Sequence, residues 1–390
     1  MPVHTSQVPT AVVAEVGWVN GLGAVRSLGR KGVPVIAVDH RPWALGFTSR
    51  YVSQKLVAPD PVIDEDGFIA ALAELGKTLD GPVPLFATHD EHVNAAVQRV
   101  DEIGPSYRLP WPDWPTLEAI QRKRHQIDTA IACGVPVPET RHPRSAAEAA
   151  AAARELGFPV FLKPSDPVQF KRIYRRQAFR CDTPAELDTA YGHMEAYEPM
   201  LQEFVPGGDE GLYTLGSYLN ADGVSLGLFC GRKLRQTREH MGSCRVGESV
   251  WVDRVVDDGL RLLRELGFRG VSQVEFKLDP RTGEYKLIEV NPRLWQWHSL
   301  SGACGADLTH IAYLDMIGTP PPPQRMTVEH RRWAITLMSG TRNGFQLPPY
   351  TDGVFAIDDM RPPATQIVRL VRKGVHRPVV AWFRKSRYIT

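Results

Sequence analysis

The sequence predicts a mixed chain, an open α/β domain at the N-terminus and α+β beyond it, and three observations carry that reading. A strand–helix–strand run opens the chain. The pattern turns to β after PMLQEFVPGGDEG. An alternating hairpin then follows, built around PRTG. The 390 residues exceed one ordinary core and suit two to three packed units. Hydrophobic residues make up 43% and charged residues 23%, the profile of a globular chain rather than a disordered one. Lys plus Arg is 46 against 44 Asp plus Glu, so the net charge is +2 and nothing points to nucleic acid as a partner.

TAVVAEVG, rich in Val and ending in Gly17, reads as a buried strand. WVNGLGAVRSLGRKG has apolar and small residues at helical spacing, and VPVIAVD is a second buried strand. The three form a βαβ unit feeding a parallel sheet. PVPLFAT and DEHVNAAVQRV read as a further strand and helix, so the α/β domain runs to about residue 115. LPWPDWPTLEAI, with its prolines and tryptophans, reads as a connector. A single helical pattern is expected from Leu117 to Cys133, then the break GVPVPET, an Ala-rich helix and the short strand FPVFLKP. The helix AELDTAYGHMEAY precedes the β-rich LYTLGSYLN and VSLGLFCGRKLRQ, and the helix VVDDGLRLLRELGF leads to the hairpin. No internal repeat is found.

In VSQVEFKLD, Val274, Phe276 and Leu278 alternate with Gln273, Glu275 and Lys277; in EYKLIEVN, Ile288 and Val290 alternate with Glu289 and Asn291. Two such strands make a hairpin with one buried face. Pairing Lys277 with Leu287 sets Glu275 opposite Glu289 across a five-residue connection. Like charges directly opposite destabilise a sheet. A hard divalent cation between them removes the conflict, and Glu275, Glu289 and Asn291 supply the oxygen ligands Mg²⁺ requires. Arg293, on the same face, has the planar fork suited to a phosphoryl group. The bland alternative is a solvated polar face.

VEFKLDPRTGEYKLIEVNPR resembles the signature hairpin of ATP-grasp ligases, in their carboxylate–amine ligase, D-aspartate ligase-like branch. The resemblance runs from about Val12 to Gly318, with GLGAVRSLGRKGVPV, a lysine before GVPVPET, FLKP, QEFVPGGD and GRKLRQ in the expected order. It implies a pre-ATP-grasp α/β domain in residues 1–115 and a small lid lobe, with its leading helix, in 116–205. A large lobe with the metal hairpin follows in 206–325, and a C-terminal extension with a basic tail in 326–390. It further implies ATP with Mg²⁺, or Mn²⁺ in its place, acting on a small carboxylic acid and an amine. The product would be an amide, formed through an acyl phosphate with release of ADP and phosphate.

By the same resemblance, Lys123 and Lys163 contact nucleotide phosphates. Gln202, the backbone of Glu203, Phe204 and Val205, and the Asp209 carboxylate form the hinge that holds adenosine, with Glu210 able to exchange roles with its neighbours. Glu275, Glu289 and Asn291 hold the metal, Arg293 stabilises phosphate, and Lys233 and Arg235, beside Arg232, face the substrate carboxylate. Where many relatives carry a Gly-rich phosphate loop, this chain has SDPVQFKRIYRRQ, without glycine; Lys171, Arg172, Arg175 or Arg176 would then replace backbone amides as phosphate donors, or the loop would recognise an acidic substrate.

A nicotinamide dehydrogenase is the rival outside the fold. GLG and Asp39 mimic a dinucleotide fingerprint, but Arg26 stands where a small residue is needed. Within the fold, a bicarbonate-using carboxylase and a non-catalytic nucleotide binder are the alternatives. His89 is a further proton-transfer candidate, and His298, with Trp295 and Trp297, one for the acceptor site. The five scattered cysteines, Cys133, Cys181, Cys230, Cys244 and Cys304, lack a CxxC pair and favour a reducing compartment. With no secretory signal and no apolar run of about 20 residues, the expected location is the cytoplasm. The last 25 residues hold seven Lys or Arg and no acid, expected to pack on their own domain or on a second subunit, and a homodimer is the default assembly.

Overall fold

A computed structural model of the chain describes residues 8–165, 170, 173–174, 178–238, 241–335 and 350–372. Lys171, Arg172, Arg175 and Arg176, and the tail beyond Arg372, lie outside the described residues.

The N-terminal α/β domain holds β1 (Ala11–Ala14), α1 (Val19–Gly29), β2 (Val35–Asp39), β3 (Val52–Val57), α2 (Glu65–Gly76), β4 (Val83–Ala87), α3 (Asp90–Gln98), α4 (Val100–Ile103) and β5 (Tyr107–Arg108). Its sheet has the order β3-β2-β1-β4-β5 and is parallel throughout. Both faces are covered by helices, which is why β1, β2 and β4 are unbroken apolar runs. β1 stops short of the expected strand because Glu15 turns to φ +60°. Half of β3 is polar, with Ser53, Gln54 and Lys55 in a row, so its edge position hid it from hydrophobic patterning.

The helix expected over Leu117–Cys133 is two helices, α5 (Trp114–Gln121) and α6 (Lys123–Ala132), because Arg122 adopts an extended ψ of 113°. The break puts Lys123 at the start of α6. The small lobe follows: β6 (Thr140–Arg141), α7 (Ala146–Leu156), β7 (Val160–Pro164), β8 (Phe179–Cys181), α8 (Pro184–Met194) and β9 (Pro199–Glu203), with sheet order β6-β9-β7-β8.

The large sheet is built from β10 (Leu212–Leu219), β11 (Ser225–Arg238), β12 (Met241–Ser249), β13 (Gly270–Leu278), β14 (Tyr285–Asn291), β15 (Gln324–Arg325), β16 (Arg332–Ala334) and β17 (Tyr350–Asp352). Its order is β14-β13-β10-β11-β12-β16-β17, with β15 beside β11. Helices α9 (Asp253–Glu265), α10 (Ser299–Ala303), α11 (Leu308–Met316) and α12 (Arg361–Arg372) accompany it.

The core between this sheet and α1 is centred on Trp295, Trp297 and Phe229, each almost wholly buried. A Cβ on Gly216 would lie 2.1 Å from the Trp295 ring, and one on Gly247 2.7 Å from Trp297, so the indoles seat directly on the backbone. These tryptophans are therefore core residues and not the lining of an acceptor site, a correction to the sequence reading. His298 is likewise buried, its Nε2 2.9 Å from the Asn20 carbonyl oxygen, and joins α1 to the large lobe.

Candidate active site

The hairpin β13–β14 places Glu275 directly opposite Glu289, the pairing expected from a register with Lys277 facing Leu287. The rest of the register differs. Lys277 pairs with Lys286, not Leu287, because a bulge at Ile288 inserts one residue between the Glu275–Glu289 and Phe276–Leu287 pairs. The bulge reverses the parity of β14 on its Leu287 side: Leu287 is buried and Ile288 only half-buried, while Val290 stays buried. The polar face is not a solvated one either. Gln273, Glu275 and Lys277 are all buried in the described structure, which removes the bland alternative for this strand.

Buried carboxylates need compensation, and lysines from two other elements supply it. Lys233 on β11 lies 2.6 Å from Glu275, and Lys123 is 3.4 Å from Glu289. Burial and the facing charge of Glu289 push the Glu275 carboxyl up, against the pull of Lys233. Burial also opposes ionisation of Glu289, but Lys123, the Asn291 amide, Lys233 and Lys163 outweigh it and hold its carboxyl well below the usual range. The pair thus divides into one acid that ionises readily and one that does so reluctantly.

Lys123 owes its position to a residue three places on. Gln126 donates to the Val290 carbonyl at 3.0 Å and accepts from the Val290 N–H at 2.9 Å, clamping α6 to the outer edge of β14. On a helix, residues three apart share a face, so the clamp delivers Lys123 to Glu289. Asn291 donates to Glu289 Oε1 at 3.1 Å, and its carbonyl oxygen is 3.5 Å from Arg293. Arg293 meets Asp90, at the start of α3, at 2.7 Å, closing the N-terminal domain onto the hairpin. Asp90 and Gln126 were not singled out in the sequence; the HDEH run and the i, i+3 spacing from Lys123 are the signals that could have found them.

In the small lobe, Lys163 donates to Gln202 Oε1 at 2.6 Å, and Gln202 donates to Thr140 at 3.1 Å. Burial, with the like charge of Lys123 added, pushes the Lys163 ammonium down to about 7. At the hinge, Glu203 ties three segments together. Its carboxylate meets Lys286 at 2.5 Å and Arg281 at 2.7 Å, and its N–H donates to Glu139. Phe204 stacks under the Arg180 guanidinium at 4.7 Å and Val205 is buried. Asp209 accepts from the Gln236 N–H at 2.7 Å and from its side chain at 2.9 Å. Arg235 is half-buried on β11, across from Val246, and Arg232 pairs with Glu248 at 2.8 Å.

Glu275, Glu289, Asn291, Arg293, Lys233 and Lys123 are thus brought together, joined through charge by Lys163; Gln202, Glu203 and Asp209 lie along the hinge beside them. Among the described residues no three His, Cys, Asp or Glu side chains converge as a self-sufficient metal site. Two carboxylates and an amide beside a cationic rim fit instead an ion that takes the rest of its shell from phosphate and water.

The dinucleotide-like features are used otherwise. Arg26 is buried, bonded to Asp359 at 3.0 Å and to the Val354 carbonyl, and Asp39 accepts from Arg41 at 2.9 Å. His89 sits 2.9 Å from Glu15, whose carboxyl, despite burial, is held down to about 2 by His89 and Arg41.

Residues 251–314 match the family model described as the ATP-binding domain of the carbamoyl-phosphate synthase L chain. The chain is 26% identical to a D-aspartate ligase of Enterococcus faecium (strain Aus0004) over 221 residues, which cover 54% of this chain and 52% of that protein. It therefore spans about half the length of this curated relative. Among solved structures, an N5-carboxyaminoimidazole ribonucleotide synthetase in its ADP complex superposes with a TM-score of 0.61 at 16% identity, covering 81% of this chain and 79% of the other. The biotin carboxylase of Campylobacter jejuni superposes with a TM-score of 0.63 at 17% identity, covering 80% and 72%.

Proposed function

We propose that the chain is a member of the ATP-grasp superfamily and, within it, a carboxylate–amine ligase driven by ATP. The observation that carries the reading is the facing pair Glu275–Glu289 with Lys233, Lys123 and Arg293 around it. A relative that had given up catalysis would be expected to lose such residues, and Glu275, Glu289 and Asn291 are all present.

Glu275, Glu289 and Asn291 would hold Mg²⁺, which when bound would supply positive charge to offset that of the phosphoryl group. The residues of the chain do the rest. Lys163 and Lys123 bind the phosphates from the small-lobe side, and Gln202 orients Lys163. The hinge from Glu203 to Val205 and Asp209 seats the nucleoside. Arg293, anchored by Asp90, and Lys233 face the charge that builds as a substrate carboxylate takes the γ-phosphoryl group, and Arg235 extends that basic strand. An amine then displaces phosphate from the acyl phosphate, giving the amide. Catalysis rests on positioning and fixed charge. The resemblance to D-aspartate ligase favours an amine acceptor over bicarbonate, and the cytoplasm is the compartment proposed with it.

The test is ADP release from Mg²⁺-ATP over a panel of amino and hydroxy acids, with hydroxylamine present to trap acyl phosphates. Formation of a hydroxamate with one acid is the expected result and names the donor. ATP turnover with bicarbonate alone, giving no hydroxamate with any acid, would replace this reading by the carboxylase. Lys163→Ala is expected to weaken ATP binding about tenfold or more, as loss of a charge-assisted phosphate contact does; titration calorimetry with a non-hydrolysable analogue measures it.

A further inference from the structure

The α12 helix leaves an unusual surface. Its inner side, with Ile367 and Leu370, packs against the main core. The rest of such a helix's surface is ordinarily polar. Here Met360, Ala364 and Val368, spaced by four and so on one side, are all exposed. Ile357, just before them, is 98% exposed, Met360 51% and Val368 49%. Trp43, in the β2–β3 loop, is 65% exposed, and its carbonyl accepts from Arg369 on the helix. Single exposed apolar residues mean little, but a run of this kind along one helix and its neighbouring loop marks a contact surface.

Cations accompany it. Arg50, Ile357, Met360, Arg361 and Ala364 line one open cleft. Arg50 has a long bond to the Asp358 carbonyl at 3.4 Å, and Arg361 makes no ion pair among the described residues. The two carboxylates at this face are already matched, Asp358 by Arg30 and Tyr51, and Asp359 by Arg26 and Ser49. Positive charge is therefore left over at this surface among the described residues.

We propose that this face, formed by Trp43, Arg50, Ile357, Met360, Arg361 and Val368, docks on an anionic lipid bilayer. A lipid surface offers both chemistries at once: phosphate oxygens for Arg50 and Arg361, and an acyl boundary for Ile357, Met360, Val368 and Trp43. A second copy of the chain would bring like charge against like. Since no helix among the described residues is long and apolar enough to cross a membrane, the contact is peripheral.

Co-sedimentation of the full chain with vesicles tests this. Vesicles of phosphatidylglycerol and phosphatidylcholine in equal parts are expected to bind at least tenfold more protein than phosphatidylcholine alone. Raising salt from about 0.05 to 0.5 M should release it, because screening shortens the reach of the arginines. Each arginine contributes roughly fivefold near an anionic surface, so Arg50→Glu with Arg361→Glu should lower binding by well over tenfold. Ile357→Asp with Val368→Asp should do the same through the apolar side. All four positions are exposed, and thermal melts are expected to be unchanged. Equal binding to both vesicle types, or wild-type binding by both double variants, would overturn the proposal. A concentration-dependent dimer in sedimentation velocity, lost in Ile357→Asp, would assign the face to a second copy instead.

Discussion

Glu275 and Glu289 face each other where an ordinary sheet would avoid like charges, and their neighbours divide the roles. Glu289 is the readily ionised member, so Glu289→Gln removes the stronger of the two proposed metal ligands while keeping its shape. ADP release should fall at least ~100-fold, in keeping with loss of a group that organises transition-state charge. A melt without nucleotide should move little, because repulsion with Glu275 is relieved as the Lys123 pair is lost. Wild-type turnover in that variant would remove the metal assignment.

His92 offers a pH test away from the site. It is buried beside Phe68 and His89, with Glu15, Asp60 and Asp39 as the nearest carboxylates. Burial pulls its imidazole down from 6.5 to about 4. Between those values the unfolded chain binds more protons than the folded one, so stability falls on acidification. The loss should approach about 3 kcal/mol near pH 4. Glu15, depressed to about 2, adds to it below about 4.5. Chemical denaturation across this range should show the slope, and His92→Gln should flatten its upper part.

At the scale of elements, the break at Arg122 and the clamp by Gln126 matter more than any helix propensity. Had α5 and α6 been one straight helix, Lys123 would not open a helix docked on β14. Gln126→Leu leaves the Val290 N–H and carbonyl without their buried partner, costing about 2–4 kcal/mol for two such groups. It should also weaken nucleotide binding by releasing Lys123. Urea melts measure the first and a nucleotide titration the second; an unchanged melt would mean water replaces the clamp. The bulge at Ile288 acts similarly. It lets Leu287 enter the core while Glu289 keeps its place opposite Glu275.

At the scale of the molecule, the C-terminal segment is a strap. β16 and β17 extend the large sheet, and Asp359 then returns to the N-terminal domain, where it takes Arg26, Ser49 and the Arg50 N–H. Arg26 is 5% exposed and Asp359 fully buried. Asp359→Ala strands that guanidinium, and about 3–5 kcal/mol should be lost, read as a lower urea midpoint. Double substitution with Arg26→Met should recover part of it, because no buried charge is then left alone. If the single variant melts like the wild type, the segment does not fasten the domain.

The sequence alone determined the βαβ start and the alternation that sets Glu275 and Glu289 on the polar side of their strands, because each rests on local periodicity of two or 3.6 residues; the order of motifs came from the family resemblance. The sequence reading of the core was weaker. Trp295, Trp297 and His298 follow the β13–β14 hairpin in sequence, yet they are buried because Gly216, Gly231 and Gly247 on three other strands leave room for the indoles. Tertiary structure likewise decided the parity of β14, the split of the helix at Arg122, the partners Asp90 and Gln126, and the use of Arg26. All of these depend on contacts between segments far apart in the chain, such as Arg26 with Asp359 or Gln126 with Val290. A pattern of polar and apolar residues records that a side chain is buried; which distant segment buries it is settled only when the sheets pack.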